Sequence, residues 1–236
     1  ALSEVANAAL EVAKAGYGVE DTMKIVKASS RLAVAAQSDI KTVSDLQSVI
    51  LHAWQGTADQ AEVISDQLFN AVAKSRADIE GLADAIGYVA GIAPQANVSL
   101  DSSLAIISIL TNAGLTMSKA GTYTRQFLND LMNPSEKLKG IIASLGLTAA
   151  DIDPRLNDIA SIFELLGDRG MNVADAFEGM SIRAASAFSV MLKNRRLIQS
   201  YTDDINQLGV VNDAFAVATD DVKTAWTEFQ NSDRKS

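Results

Sequence analysis

Side chains capable of acid–base or nucleophilic chemistry are few in this sequence, and their spacing assembles no catalytic set. His52 is the only histidine and there is no cysteine. A His-based triad, a multi-histidine metal site and thiol catalysis are therefore excluded. The paired carboxylates Asp203–Asp204 and Asp220–Asp221 fall in predicted helices. Neighbouring residues of a helix point about 100° apart, so neither pair converges on a substrate by itself.

Sequence motifs for metal and phosphate binding are also missing. The segment that begins at Asp151 superficially resembles a calcium loop, but Leu156 stands where glycine is required and Ile162 where glutamate is required. Gly16 and Gly18 lie between predicted helices and not after a strand, so they form no dinucleotide fingerprint. The sequence predicts no catalytic residue, no cofactor and no metal site, and we expect a protein that is not an enzyme.

The elements that would position any site are predicted to be α-helices throughout. Hydrophobic residues make up 48% of the chain but aromatic ones only 6%, because much of the apolar content is alanine. Alanine is the best helix former, and only three prolines interrupt the pattern. We therefore predict an all-α fold. The net charge of −9 repels phosphate backbones, so no sequence-specific nucleic-acid partner is expected.

Glycines and capping residues divide the first 180 residues into short predicted helices. This punctuation is typical of a multi-helix bundle. Caps are predicted at several helix starts: Thr57 with Gln60 as a capping box, Asp78, Asn172, and Asn133 and Asp153 before the first-turn prolines Pro134 and Pro154.

Beyond residue 180 the predicted helices are longer and more polar. One runs from about Ser181 to Gln207 and a last one from Val211 to about Phe229. We therefore predict a compact helical core domain at 1–180 and long C-terminal helices at 181–236. The chain begins within a helical pattern, which indicates a segment of a longer protein. No stretch approaches the roughly 20 apolar residues of a membrane span.

One stretch carries an ordered set of motifs that is more specific than amino-acid composition alone. Residues 105–134 read AIISILTNAGLTMSKAGTYTRQFLNDLMNP, an apolar helix ending in Ala-Gly, then Ala-Gly-Thr with an arginine three residues on. This order of motifs resembles the core region of phage tail tape measure proteins, the phage-related minor tail protein family. The resemblance covers about residues 1–195, although Phe177-Glu178-Gly179 stands where the family usually has Phe-Gly. The motif residues are Ala113, Gly114, Ala120, Gly121, Thr122 and Arg125.

Both the residue types and the resemblance favour a structural role for this motif. Glycines at helix ends adopt positive φ without strain, and small residues let helices pack closely. Thr122 is predicted to cap or brace a turn. Arg125 is predicted to bind carbonyl groups at a helix end or to pair with an acidic neighbour.

The resemblance implies a structural protein of the virion. Members of this family are long helical proteins packed in several copies inside the tail tube, where their length sets tail length. They leave ahead of the DNA during infection and help it cross the cell envelope. The resemblance thus implies a location in the tail lumen or tail tip, and in the host cytoplasm during assembly. The implied partners are other copies of the chain, tail-tube proteins, tail-tip or baseplate proteins and tail assembly chaperones.

We expect this segment to nucleate tail assembly by self-association or by contact with tail-tip proteins. The copies are expected to share a symmetric contact, three-fold in the simplest case. The predicted contact lies after residue 181, where one helix face carries Phe188, Met191, Leu192 and Ile198 at apolar spacing. Two alternatives remain. The first is a membrane-active helical domain that contacts the membrane only during genome delivery, although serines interrupt the most apolar helix. The second is a tail-associated lytic enzyme, for which no converging acids or activated nucleophile are visible.

Overall fold

The computed structural model describes residues 2–220, and this part of the chain consists of α-helices and two short 3₁₀ helices, Ala58–Gln60 and Ala149–Ile152, joined by turns and loops. No β-strand occurs among those residues, which confirms the predicted all-α fold. The helices are α1 (Leu2–Lys14), α2 (Val19–Ala35), α3 (Ile40–Ala53), α4 (Ala61–Lys74), α5 (Ile79–Val89), α6 (Leu100–Asn112), α7 (Met117–Met132), α8 (Glu136–Ser144), α9 (Ile159–Asp168), α10 (Val173–Gly179), α11 (Ile182–Lys193) and α12 (Arg195–Ile205). Residues 210–220 are also helical.

Helix α6 lies at the centre of the fold. Every residue from Ser102 to Thr111 is buried, and α4, α7, α11 and α12 pack around this helix. A helix that is surrounded on all sides needs apolar residues all round, which explains why its sequence is the most apolar in the chain. No helix within residues 2–220 is long and apolar enough to cross a membrane.

Three phenylalanines tie α7, α9 and α11 together. The rings of Phe127 and Phe163 meet edge to face with centroids 5.9 Å apart, and Phe163 and Phe188 are 4.9 Å apart in a tilted arrangement. All three side chains are fully buried. Aromatic pairs in these geometries stabilise a core beyond the area that they bury.

The C-terminal helices differ from the prediction. The expected long helix from Ser181 to Gln207 is two helices, because the chain leaves helical geometry at Asn194 (φ −105°, ψ 18°). The backbone N–H and the side-chain amide of Asn194 both donate to the carbonyl of Val190, at 3.1 and 2.9 Å. This break lets α11 pack on α7 while α12 packs on α6.

The structure also corrects the predicted oligomer contact. Phe188, Met191 and Ile198 are 0% exposed and Leu192 is 5% exposed, all within the chain's own core. Their apolar spacing serves intramolecular packing, so a second copy cannot reach them while the fold is intact. Residues on both sides of the proposed boundary near 180 belong to one buried cluster. Residues 221–236, with Asp221 and the end of the last predicted helix, lie outside the described residues.

Several predicted caps are confirmed and two are wrong. Asp78 caps α5 by accepting from the Gly81 N–H at 2.8 Å, and the Thr57–Gln60 and Asn172 caps are also present. In place of Asn133 and Asp153, Ser135 caps α8 and Asp158 caps α9. Each true cap lies immediately before the first residue with helical geometry, one and four residues past the prolines respectively.

Candidate functional site

The Ala113-Gly114 pair ends the central helix and reverses the chain. Gly114 has φ +99°, a left-handed conformation that favours glycine. Its N–H donates to the Thr111 carbonyl at 2.9 Å, and the Leu115 N–H donates to the Leu110 carbonyl at 3.1 Å. These two bonds form a Schellman motif, which satisfies the free carbonyls of α6 and directs the chain into α7.

The Ala120-Gly121 pair forms the closest helix crossing that the motif provides. Ala120 is fully buried. A Cβ atom on Gly121 would lie 2.5 Å from the carbonyl oxygen of Ala85 and 2.9 Å from its Cα. Only glycine therefore permits α7 to approach the backbone of α5 at this point. Sequence reasoning placed the motif glycines at helix ends, whereas Gly121 lies inside a helix and acts through close packing.

Thr122 and Arg125 occupy positions different from those predicted. Thr122 is half-buried in the interior of α7, whose N-cap is Thr116, so it neither caps nor braces a turn. Arg125 is exposed, and no hydrogen bond or ion pair joins it to a residue within 2–220. The expected pairing with a helix end or an acidic neighbour is absent from this part of the chain.

Arg125 lies at an open groove between α7, the end of α5 and the start of α11. We call this feature the Arg125 groove, with a volume of about 340 Å³, and define it by its lining residues Ile92, Arg125, Gln126, Asn129, Asp130 and Ser181. The α5–α7 crossing at Gly121 positions two of its walls. Within the motif, Gly121 therefore serves helix packing, whereas Arg125 lies at the protein surface.

The third wall of the groove is fixed by hydrogen bonds from the turn between α10 and α11. The backbone N–H and the hydroxyl of Ser181 both donate to Asp130 Oδ2, at 3.2 and 3.3 Å. Ser135 donates to the Gly179 carbonyl at 2.9 Å. The helices on either side of this turn each expose an apolar side chain, Phe177 of α10 at 46% and Ile182 of α11 at 76% relative exposure. Apolar spacing predicts neither exposure, because Phe177 lies in a helix of only seven residues and Ile182 is the first residue of its helix.

The groove is lined by one basic and one acidic side chain, Arg125 and Asp130, and Arg183 follows two residues after Ser181 in α11. Arg125 and Arg183 are both exposed, and neither has a partner among the described residues. Among the other described arginines, Arg31 pairs with Glu62 and Arg155 with Asp153, whereas Arg76 and Arg196 are likewise exposed without a hydrogen bond or ion pair to any residue within 2–220. Unpaired guanidinium groups next to exposed apolar side chains are typical of protein–protein contact sites.

The remaining polar clusters are structural. Hydrogen bonds from the Arg155 side chain hold the pKa of Asp153 below its usual range, and hydrogen bonds from Thr148 do the same for the pKa of Asp151. His52 Nε2 lies 3.0 Å from the Ala15 carbonyl oxygen at the end of α1, and the ring centroids of His52 and Tyr17 are 5.0 Å apart. Among residues 2–220, no group of three or more acidic or histidine side chains is placed to hold a metal ion.

Comparisons with known proteins match this chain to phage tail proteins. The family described as phage-related minor tail protein matches residues 1–215. The probable tape measure protein of Escherichia phage P2 is 29% identical over 161 residues, which cover 68% of this chain and 20% of that protein. The tape measure protein of Pneumococcus phage Dp-1 is 29% identical over 148 residues, which cover 63% of this chain and 13% of that protein. The chain therefore spans a fifth or less of these relatives, and no solved structure matches it.

Proposed function

The chain belongs to the phage-related minor tail protein family, and from this premise we propose that it is the folded helical segment of a tape measure protein. Its role is structural and not catalytic. It helps to nucleate tail assembly, contributes to setting tail length and supports DNA ejection. In the virion it lies in the tail lumen or at the tail tip, and in the host cytoplasm while tails are assembled.

One observation supports the proposal: the segment that resembles the family's core motif builds a close helix crossing and leaves an arginine at the surface without a partner in the described part of the chain. Gly121 fixes α7 against α5, and this crossing holds Arg125 at the groove. A catalytic role would need converging titratable groups. Asp130, the acidic residue that lines the groove, instead accepts two hydrogen bonds from Ser181.

The groove supports a definite partner chemistry. Two unpaired guanidinium groups beside Ile182 and Phe177 favour a surface that carries carboxylates around an apolar centre. A second copy of this chain supplies such charge, since 29 acidic residues outnumber 20 basic ones. Contact between the groove of one copy and an acidic face of the next is heterologous. A heterologous contact forms a closed ring, such as a three-fold ring, when its rotation closes, and an open filament when it does not. Tail-tube, tail-tip or baseplate proteins and tail assembly chaperones then bind the assembled copies.

The self-association proposal is tested by sedimentation of the purified chain at increasing concentration. We expect Arg125→Glu combined with Ile182→Glu to weaken association at least tenfold, and the matched charge reversal Lys119→Glu on the exposed face of the same helix to leave it unchanged. A chain that stays monomeric at high concentration, or associates equally in both variants, would contradict the groove contact.

The tail role is tested by deleting this segment in frame from its parent phage gene and imaging the particles by electron microscopy. Tailless heads support nucleation of tail assembly. Tails of normal length that fail to deliver DNA would show that the segment acts in ejection and not in nucleation. Normal and infectious particles would refute both roles.

A further inference from the structure

Two buried polar residues on α4 hold the junction between α12 and the helical segment 210–220. Asp66 and Asn70 are 6% and 9% exposed. They lie four residues apart and therefore on the same face of the helix. Buried polar groups need partners, and both find them in residues more than 130 positions further along the chain.

The two side chains match the two helix ends that they meet. Asn70 donates its amide hydrogens to the carbonyls of Ile205 and Gln207, at 3.1 and 2.9 Å, where α12 ends. Asp66 accepts from the N–H groups of Gly209 and Val211, at 2.8 and 2.9 Å, where the next helical segment begins. A donor thus satisfies free carbonyls, and an anion satisfies free N–H groups at the positive end of the helix dipole.

The backbone between these two attachments has the features of a hinge. Gly209 has φ +85°, and the preceding Leu208 is 65% exposed. Within residues 206–220, Val211 is the single buried side chain. Outside the Asp66 and Asn70 bonds, polar contacts at the protein surface hold this region, such as the hydrogen bond from Arg31 to Asn212 at 3.0 Å. Apolar packing by itself therefore holds the segment weakly.

We propose that Asp66 and Asn70 form a lock on a hinge at residues 208–209, which fixes the direction of the helical segment 210–220 relative to α4. Each carboxylate oxygen of Asp66 accepts one backbone N–H. An asparagine at this position would replace one of these acceptors by an NH₂ group, which would face a backbone N–H donor and could not accept its hydrogen. Release of the lock lets the segment pivot while the helices around α6 remain folded. This device acts within one chain and does not depend on what the Arg125 groove binds.

The first test is hydrogen exchange on the 236-residue chain, with Asp66→Asn as the variant. Asp84→Asn, which removes an exposed carboxylate from α5, is the matched control. We expect amides 209–216 to exchange at least tenfold faster in Asp66→Asn, with α6 unchanged within about twofold. Unchanged exchange of amides 209–216 would overturn the lock. Equal acceleration of α6 would also overturn it, because the pair would then support the whole fold.

A second test measures the pivot directly and uses a variant that keeps the carboxylate. The chain has no cysteine, so Ala73→Cys and Val217→Cys place spin labels at two exposed positions on α4 and on the helical segment. We expect one narrow distance distribution with the lock intact and a broad one after Asn70→Ala. A narrow, unshifted distribution in the Asn70→Ala chain would overturn the proposal even if Asp66→Asn fails to fold.

Discussion

Replacing Gly121 by alanine tests whether the motif acts through close helix packing. Alanine normally stabilises a helix interior relative to glycine, by about 1 kcal/mol. At Gly121 the added Cβ would meet the Ala85 carbonyl oxygen at 2.5 Å, whereas ordinary contacts between heavy atoms are about 3.5–4.0 Å. The obstacle is backbone and cannot rotate away, so α5 and α7 must separate.

The size of the effect follows from two opposing contributions. Overpacking costs about 1–3 kcal/mol, and we take the upper value because backbone atoms clash. Helix propensity returns about 1 kcal/mol, which leaves a net destabilisation of about 2 kcal/mol. In a chain of this size 1 kcal/mol shifts Tm by about 2–4 °C, so Tm should fall by about 4–8 °C.

Gly87→Ala is the matched control for this experiment. Gly87 is exposed on α5, and a Cβ there would meet nothing within 4 Å. Alanine at this position should stabilise the chain by about 0.5–1 kcal/mol and raise Tm by about 1–4 °C. The assay is thermal unfolding followed by circular dichroism. If Gly121→Ala raised Tm as Gly87→Ala does, the close-crossing explanation would be refuted.

Three further predictions follow from the buried core and its polar contacts. Phe188→Ala should lower the free energy of unfolding by about 3–5 kcal/mol in urea titrations, while Ile182→Ala changes it by less than about 0.5 kcal/mol; equal effects would contradict their assigned burial. Because Arg155 lowers the pKa of Asp153 in the folded state, stabilisation by Asp153 is present above the unfolded pKa of about 3.9 and lost as pH falls through the lower folded value. The stability gap between wild type and Asp153→Asn in urea titrations should therefore narrow as pH falls below about 3.9, and a constant gap would contradict this coupling. Gln47 is fully buried and donates to Ala61 and Ser65, so Gln47→Glu should cost about 3 kcal/mol or more at pH 7, and a melt like that of wild type would refute this assignment.

The sequence predicted the helices well because their signals are local. Apolar spacing, Asp78 as a cap and the glycine at position 114 each act within one or two turns of a helix. The break at Asn194 carries no glycine or proline, and it arises because α11 packs chiefly on α7 whereas α12 packs chiefly on α6. Tertiary packing of this kind is invisible in a local pattern.

The candidate site was predictable only in part. The motif identified Gly121 and Arg125, but apolar spacing alone cannot distinguish a face that packs within the chain from one that meets another copy. The spacing therefore predicts a contact between copies at Phe188 and Ile198, whereas both side chains are fully buried within the chain. Ile182 is exposed because Ser181 and Asp130 fix the turn before it, and these two residues are 51 positions apart. Such long-range bonds cannot be inferred from spacing.

The role of the Arg125 groove in tail assembly is tested by introducing groove variants into the parent phage gene and counting tails by electron microscopy. Arg125→Glu with Ile182→Glu should give heads without tails, while Lys119→Glu should give normal, infectious particles. Both changes replace exposed side chains, so circular dichroism of the purified chains should be unchanged. Normal tails in the groove variant, with a folded chain, would contradict the account that this surface serves tail assembly.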